Sequence, residues 1–323
     1  MLRKVIDFSR YHDVLKKTRR AWHKNYYAMY SSVLDCVVTD PLMMQVPVDD
    51  HLVHRGDGVF DMFKCVQRGA FQMEAHLERL INSAHAIGLE WRSGLDSVRS
   101  VVMDVLRTVN KDDCSVKLMI SRGPGSFTAN PFDCPQAQLY ILVYALALPF
   151  MKRHPQGAVV RRSSIQVKEP RFATTKTCNY LPNAMMKYEA HEMGVDFVVA
   201  FDTDGHMAEG GTENFGIISK DGDLLFPKLD RILRGITMTR VMELAKQLVA
   251  EGKLRSVGFH DITQKDIDKA REMIITGTTI DVVSVRRYEE KEFPACTKDS
   301  IAPQLNQMLE HDIYNDSSLR TAY

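Results

Sequence analysis

Lys176 stands in the segment TTKTCNYLPN (174–183), and 33 residues later Glu209 opens EGGTEN (209–214). A lysine amine attacks a carbonyl carbon once it has lost its proton, which asks for a partly desolvated place at the end of an element. Lys176 lies just ahead of a helical stretch, with no acid within three positions. Glu209 lies between Met207-Ala208 and Gly210-Gly211, where apolar and backbone-only surroundings disfavour a solvated carboxylate. Such an acid can face a pyridine nitrogen and keep it protonated, and the protonated ring then draws electrons from a carbanion. The pair suits pyridoxal 5′-phosphate. Taken singly, Lys176 reads as a solvated loop lysine and Glu209 as the acid of a hairpin turn.

A phosphorylated cofactor also needs backbone amides and an arginine. Gly235-Ile236-Thr237 opens a helix, so amides and the Thr237 hydroxyl can point at an anion. Thr276-Gly277-Thr278-Thr279 follows a strand at 272–275, and Arg79 lies on a helix at 74–87, off its apolar face. Each has a bland counterpart in a helix cap, a strand end or a solvated arginine.

The elements that must hold these residues alternate between strand and helix. Residues 32–39 and 59–66 read as strands, the second closed by a hairpin at Gln67-Arg68-Gly69. Leu77, Leu80, Ile81 and Ala84 recur at helical spacing before Gly88, and a second helix spans roughly 94–109. Strands follow at 115–121 and 137–147. Pro149, Pro155 and Gly157 mark a linker. Beyond it come strands around 158–167 and a helix begun by Pro182, with Leu181, Ala184, Met185 and Tyr188 on one face and Gly194 at its end. The strand 195–201, two further strands at 215–219 and 224–227, and a strongly amphipathic helix after 237 complete the pattern. The class is α/β (α+β), divided into an N-terminal helical extension (1–30), a small domain (31–150) and a larger domain (158–323) carrying Lys176.

With 323 residues, 45% apolar and 26% charged, the chain has the composition of a globular protein of about two domains. A net charge of +1 gives no reason to expect nucleic acid, and no apolar run approaches the ~20 residues that span a bilayer. Six scattered cysteines lack metal-ligand spacing, so no metal is expected and reduced thiols in the cytoplasm are. Residues 1–24 hold eight Lys or Arg against two Asp, faintly like a transit peptide. Val5, Phe8, Tyr11 and Leu15 form an apolar stripe there, so a packed helix is the expectation.

In order, HRGDGVFD (54–61), EAHLERL (74–80), KTCNYLPNAMMKYEA (176–190), EGGTEN (209–214), LRGIT (233–237) and TGTT (276–279) resemble the fold-type IV, or class IV, pyridoxal-phosphate aminotransferases. That family includes branched-chain aminotransferases, D-amino-acid transaminases and aminodeoxychorismate lyases. The resemblance spans residues ~50–285, six collinear blocks at family-like spacings. It implies an N-terminal α/β sandwich domain, a C-terminal pseudo-barrel domain with the cofactor between them, and a homodimer whose partner chain completes the substrate pocket. It assigns the Schiff-base lysine to Lys176, the ring-nitrogen partner to Glu209, the phosphate cup to Arg79, Ile236, Thr237 and Thr278, and the tyrosine beside the phenolic oxygen to Tyr180. Tyr180 is one residue nearer the lysine than in typical branched-chain enzymes. Glu213 matches the second acid of the branched-chain EGxxEN pattern.

Substrate residues are less marked. Phe60 stands where D-amino-acid transaminases carry a tyrosine. The Arg-x-His trap of the bacterial D-amino-acid enzymes is absent from SRGPGSFTA (121–129), and Ser115-Val116-Lys117 replaces the branched-chain Tyr-x-Arg. Lys117, Arg122 and Thr279 are the remaining groups for a substrate carboxylate. The expected function is amino-group exchange between an amino acid, branched-chain L- or D-, and a 2-oxo acid. The rivals are a lyase of the aminodeoxychorismate type and a non-catalytic cofactor-binding protein.

Overall fold

The computed structural model describes residues 4–294, 296–297 and 299–323. Its first half is an antiparallel sheet of β1 (Tyr26–Ser31), β2 (Cys36–Val38), β3 (Gly58–Val66), β4 (Gly69–Phe71), β5 (Cys114–Ser121) and β6 (Gln138–Tyr144). Along β3 the side chains alternate. Val59, Phe63 and Cys65 join a core with Leu77, Leu80 and Ala84 of α3 (Met73–Ala86) and Val98, Val102 and Val105 of α4 (Gly94–Val109). The helical spacing of those residues is the reason both helices lie on this face, and each fully buried aliphatic contributes about 1.5–3 kcal/mol. Gln67 and Arg68 both take positive φ, so the β3–β4 hairpin turns in two residues.

The second sheet holds β7 (Ala158–Arg162), β8 (Phe197–Phe201), β9 (Met207–Gly210), β10 (Asn214–Ile218), β11 (Asp223–Pro227), β12 (Ser256–His260), β13 (Glu272–Gly277), β14 (Asp281–Tyr288) and β15 (Lys291–Glu292). The order β10-β13-β14-β7-β8-β9 closes on itself, because Glu209 of β9 pairs with Asn214 of β10. This is the pseudo-barrel that the resemblance implies. Neighbouring residues part to two cores: Ile218, Ile274 and Val282 face α8 (Ile236–Ala250) and α10 (Ile301–Asn315), while Ile217, Ile275 and Val283 join Phe197 and Phe215. Strands buried on both faces read as continuous apolar runs, and these do.

Four details depart from the sequence reading. The expected strand 32–39 shrinks to β2, since residues 32–35 turn with Asp35 at positive φ. The N-terminal helix forms as α1 (Phe8–Lys16), capped by Asp7, but Val5 and Phe8 are more than nine-tenths exposed, so it is not packed. Its Tyr11 hydroxyl donates to Gln45 at 2.8 Å. In α7 (Leu181–Glu192) the buried residues are Asn183, Met186 and Ala190, not the expected face of Leu181, Met185 and Tyr188. The helix is rotated because the Asn183 amide donates to the Gly211 carbonyl at 2.8 Å and Lys187 pairs with Glu213. Finally, β16 (Arg320–Ala322) leaves the 158–323 segment and pairs with β4 at the edge of the first sheet.

Candidate active site

The segment 174–180 between α6 (Pro170–Ala173) and α7 is stitched to the edge of β3. Thr177 bridges Val59, the Phe60 amide donates to the Lys176 carbonyl at 3.0 Å, and the Cys178 amide donates to Gly58 at 2.8 Å. The Lys176 amide donates to the Ser83 hydroxyl of α3 at 3.3 Å. Gly56, at φ +66°, is needed at the preceding turn: a Cβ there would strain the backbone and press on Asn179. These ties direct the Lys176 side chain over Phe60, with Nζ 4.7 Å from the ring centre and 5.9 Å from that of Tyr180. Burial, helped by Arg79 and opposed by Asp61 and Glu209, pulls the Lys176 amine down to about 8.

Glu209 lines a cavity with Lys176 and Tyr180. Its Oε2 accepts the Leu233 amide at 3.0 Å. Burial raises its pKa, against that amide and the charges of Lys168 and Lys176. Glu213 is buried beside it, accepting from the Thr212 amide and hydroxyl and pairing with Lys187 of α7.

Arg79 projects from α3. Its Nε and Nη2 each donate to Asp61 at 2.8 Å, and Nη1 donates to the Arg234 carbonyl at 3.2 Å. That last contact brings the guanidinium to the loop entering α8. Asp61 is fully buried; burial alone would raise its carboxyl, yet Arg79 and His76 hold it well below the usual range. The first turn of α8 has no side-chain cap, so the amides that follow Gly235 remain available, and Thr237 is buried there.

A second cavity, of about 280 Å³, adjoins Lys176. Phe60, Met62, Tyr144 and Ile280 give its apolar wall; Arg79, Lys117, Thr278 and Thr279 give its polar one. Lys117 lies 5.0 Å from the Phe60 ring centre, with no ion-pair partner among the described residues.

Residues 58–288 match the family of class IV amino-transferases. The chain belongs to that family. It is 34% identical over 291 residues to a chloroplastic D-amino-acid transaminase of Arabidopsis thaliana, covering 90% of this chain and 77% of the relative. It is 30% identical to a putative branched-chain-amino-acid aminotransferase of Methanocaldococcus jannaschii, over 75% of this chain and 82% of that one. The fold superposes on a T.th. branched-chain amino acid aminotransferase solved with pyridoxamine 5′-phosphate, with a TM-score of 0.83, 20% identity and 92% and 98% of the two chains covered. This protein is therefore a class IV aminotransferase, a transaminase that uses pyridoxal 5′-phosphate.

The residues present fit that cofactor. The uncapped α8 N-terminus and Arg79 suit a phosphate, and the Thr276 hydroxyl, one residue from Gly277, is buried without a partner. Glu209 spends only Oε2 on the backbone, which leaves Oε1 for a ring N–H.

The chain brings Lys176, Arg79, Tyr180, Phe60, Lys117, Thr278 and Thr279 around one cavity, with Glu209 on the adjoining one. Ile236 and Thr237 sit at the α8 N-terminus, outside both linings. Arg122 lines neither cavity in this chain: its guanidinium is bidentate to Asp57 at 3.0 Å and donates to the Ile87 and Gly88 carbonyls. Sequence reasoning missed Asp61, His76, Lys168 and Lys187. Asp61 ends the HRGDGVFD block, and the alternation of β3 could have sent it towards Arg79. Lys168 and Lys187 carried no sequence signal.

Proposed function

We propose that this aminotransferase exchanges the amino group of a D-amino acid with an apolar side chain against a 2-oxo acid. The apolar wall of the 280 Å³ cavity beside Lys176 carries this reading. The Arabidopsis thaliana relative supports the D series.

Bound pyridoxal 5′-phosphate supplies a carbonyl carbon for the amine and a ring that withdraws electrons from the substrate carbon. Arg79, the amides of Ile236 and Thr237, and Thr278 hold the phosphate. The Oε1 of Glu209 keeps a proton at the ring nitrogen. Lys176 Nζ, about half neutral near pH 8, is the base that would move the proton from the substrate Cα. Burial pushes the Tyr180 phenol well above its ordinary value, so Tyr180 stays protonated and can donate to the cofactor's phenolic oxygen. Lys117 and Thr279 bind the substrate carboxylate. Phe60, Met62, Tyr144 and Ile280 exclude water from its side chain.

A second reading, an L-branched-chain aminotransferase, is favoured by Glu213-Asn214 and by the Methanocaldococcus jannaschii relative. Paired D and L forms of alanine, valine, leucine and methionine, assayed singly for 2-oxo acid release, separate the two. Release from the D forms is expected. Turnover of L-leucine and L-valine alone would install the second reading, and silence with all eight would sink both.

We further propose a homodimer. Leu181, Met185 and Tyr188, at helical spacing on α7, and Phe172 of α6 leave large apolar side chains exposed on the two helices that flank the Lys176 segment, of the kind that subunit contacts cover. Light scattering should give twice the chain mass of 36.8 kDa. No helix among the described residues is long and apolar enough to cross a membrane. The six cysteines are all free, which suits a reducing compartment such as the cytoplasm.

A further inference from the structure

Lys168 enters the site from the stretch between β7 and α6, eight residues before Lys176. It lines the cavity shared by Glu209, Lys176 and Tyr180, and its Nζ lies 5.4 Å from the centre of the Tyr180 ring. Half-buried, it has neither a salt-bridge partner nor a hydrogen-bond acceptor among the described residues. A cation left unpaired in a partly desolvated place raises the energy of every positive charge near it and lowers that of every negative one. Burial already pulls the Lys168 amine below its ordinary value, and Glu209 is the group that opposes this.

We propose that Lys168 is a positioning residue that sets the acidity of the nitrogen Lys176 shares with the cofactor. The inference rests on the cofactor-site reading above. The charged groups that bear on that nitrogen come from every side. Glu209 of β9 and Glu213 ahead of β10 are negative, with Glu213 held by Lys187 of α7. Arg79 of α3 and Asp61 of β3 approach from the first sheet. Arg79 is matched by Asp61 and Lys187 by Glu213; Lys168 has no such contact among the described residues, and neither has Lys117 of β5, which lines the neighbouring cavity beside Phe60. Removing its charge therefore leaves the surroundings more negative, and the protonated form of the Lys176 nitrogen gains.

The test is a pH titration of the cofactor's visible absorption band in purified holoenzyme, for the wild type, Lys168→Met and Lys168→Arg. Methionine keeps an unbranched stem against Tyr180 without the charge, and arginine keeps the charge. The band of Lys168→Met should titrate about half to one pH unit higher than that of the wild type, with Lys168→Arg returning to within a few tenths of a unit. Cofactor affinity, followed by fluorescence quenching, should fall in Lys168→Met and recover in Lys168→Arg. A Lys168→Met band that titrates where the wild type does would overturn the proposal. So would loss of the band in both variants, which would make Lys168 a packing residue. A wild-type protein with no such band would instead fail the cofactor-site reading, a result distinct from a band that does not move.

Discussion

Phe60 and Lys176 hold one another in place: the Phe60 amide donates to the Lys176 carbonyl at 3.0 Å, and the Phe60 ring lies 4.7 Å from Lys176 Nζ. The backbone bond sets where the segment runs, and the ring sets where the side chain goes. An aromatic face favours an ammonium by ~0.5–2 kcal/mol. Burial and Arg79 nevertheless win, and the amine titrates near 8.

Lys176→Ala removes the nucleophile and base together. Activity should fall by more than ~10⁴-fold while the circular dichroism spectrum stays unchanged. Borohydride treatment of the wild type followed by mass spectrometry should show the cofactor mass fixed to the peptide containing Lys176. The same adduct in the variant would refute this assignment.

The lowered amine has a pH consequence. Only its neutral form attacks a carbonyl, so the rate at which cofactor-free protein captures pyridoxal 5′-phosphate should climb about tenfold per pH unit below about 8 and level off above it. A lysine of ordinary pKa would keep climbing to about 10.4. Stopped-flow traces from pH 6 to 10 distinguish the two.

Arg79→Ala should weaken cofactor binding by about 10- to 100-fold, the worth of one or two charge-assisted hydrogen bonds to phosphate. It also strips Asp61 of two donors at 2.8 Å. Thermal stability should drop as well, even without cofactor, because a fully buried carboxylate is left with only His76 and the Met62 amide. Equilibrium dialysis and calorimetry measure the two effects, and an unchanged Kd would exclude Arg79 from the phosphate cup.

Lys64 of β3 pairs with Asp281 of β14, and both are almost fully buried. This ion pair joins the two halves of the molecule one residue beyond Ile280 in the cavity wall. Lys64→Met should cost ~3–5 kcal/mol by stranding the Asp281 charge, with Lys64→Met/Asp281→Asn recovering much of it. Urea denaturation checks the ordering; a single variant no less stable than the double one would contradict it.

Lys117 stands 5.0 Å from the Phe60 ring centre. Lys117→Met should raise KM by about tenfold and leave kcat within twofold, the pattern of an interaction made equally in ground and transition states. A fall in kcat at constant KM would place Lys117 in the chemistry instead.

Much of this was legible in the chain. The hairpin at Gln67-Arg68, the stripes of α3 and α4 and the apolar runs of β8 and β13 are local, and periodicity reads local order well. Lys176, Glu209 and the α8 start are singled out in the chain by the six collinear blocks of family resemblance, since each taken singly reads as an ordinary loop, turn or cap residue. Periodicity failed on α7. Its stripe of Leu181, Met185 and Tyr188 is real but points outward, since Asn183 and Lys187 are claimed by Gly211 and Glu213. Arg122 reads in the chain as a cation free for a carboxylate, whereas its guanidinium is engaged by Asp57 and by the Ile87 and Gly88 carbonyls, contacts that no local pattern encodes.

The amino-acid sequence alone determined the order along the chain of the groups to which the proposed chemistry is assigned: one lysine, an acid and the start of α8. It even determined that Phe60, Met62 and Lys64 share a face of β3, because strand side chains alternate. Only the tertiary structure decided what that face meets. Phe60 lies under Lys176, Met62 enters the cavity, and Lys64 pairs with Asp281, 217 residues further along. Desolvation made Lys176 a base near pH 8, and burial depends on what packs around a residue, which no local pattern encodes.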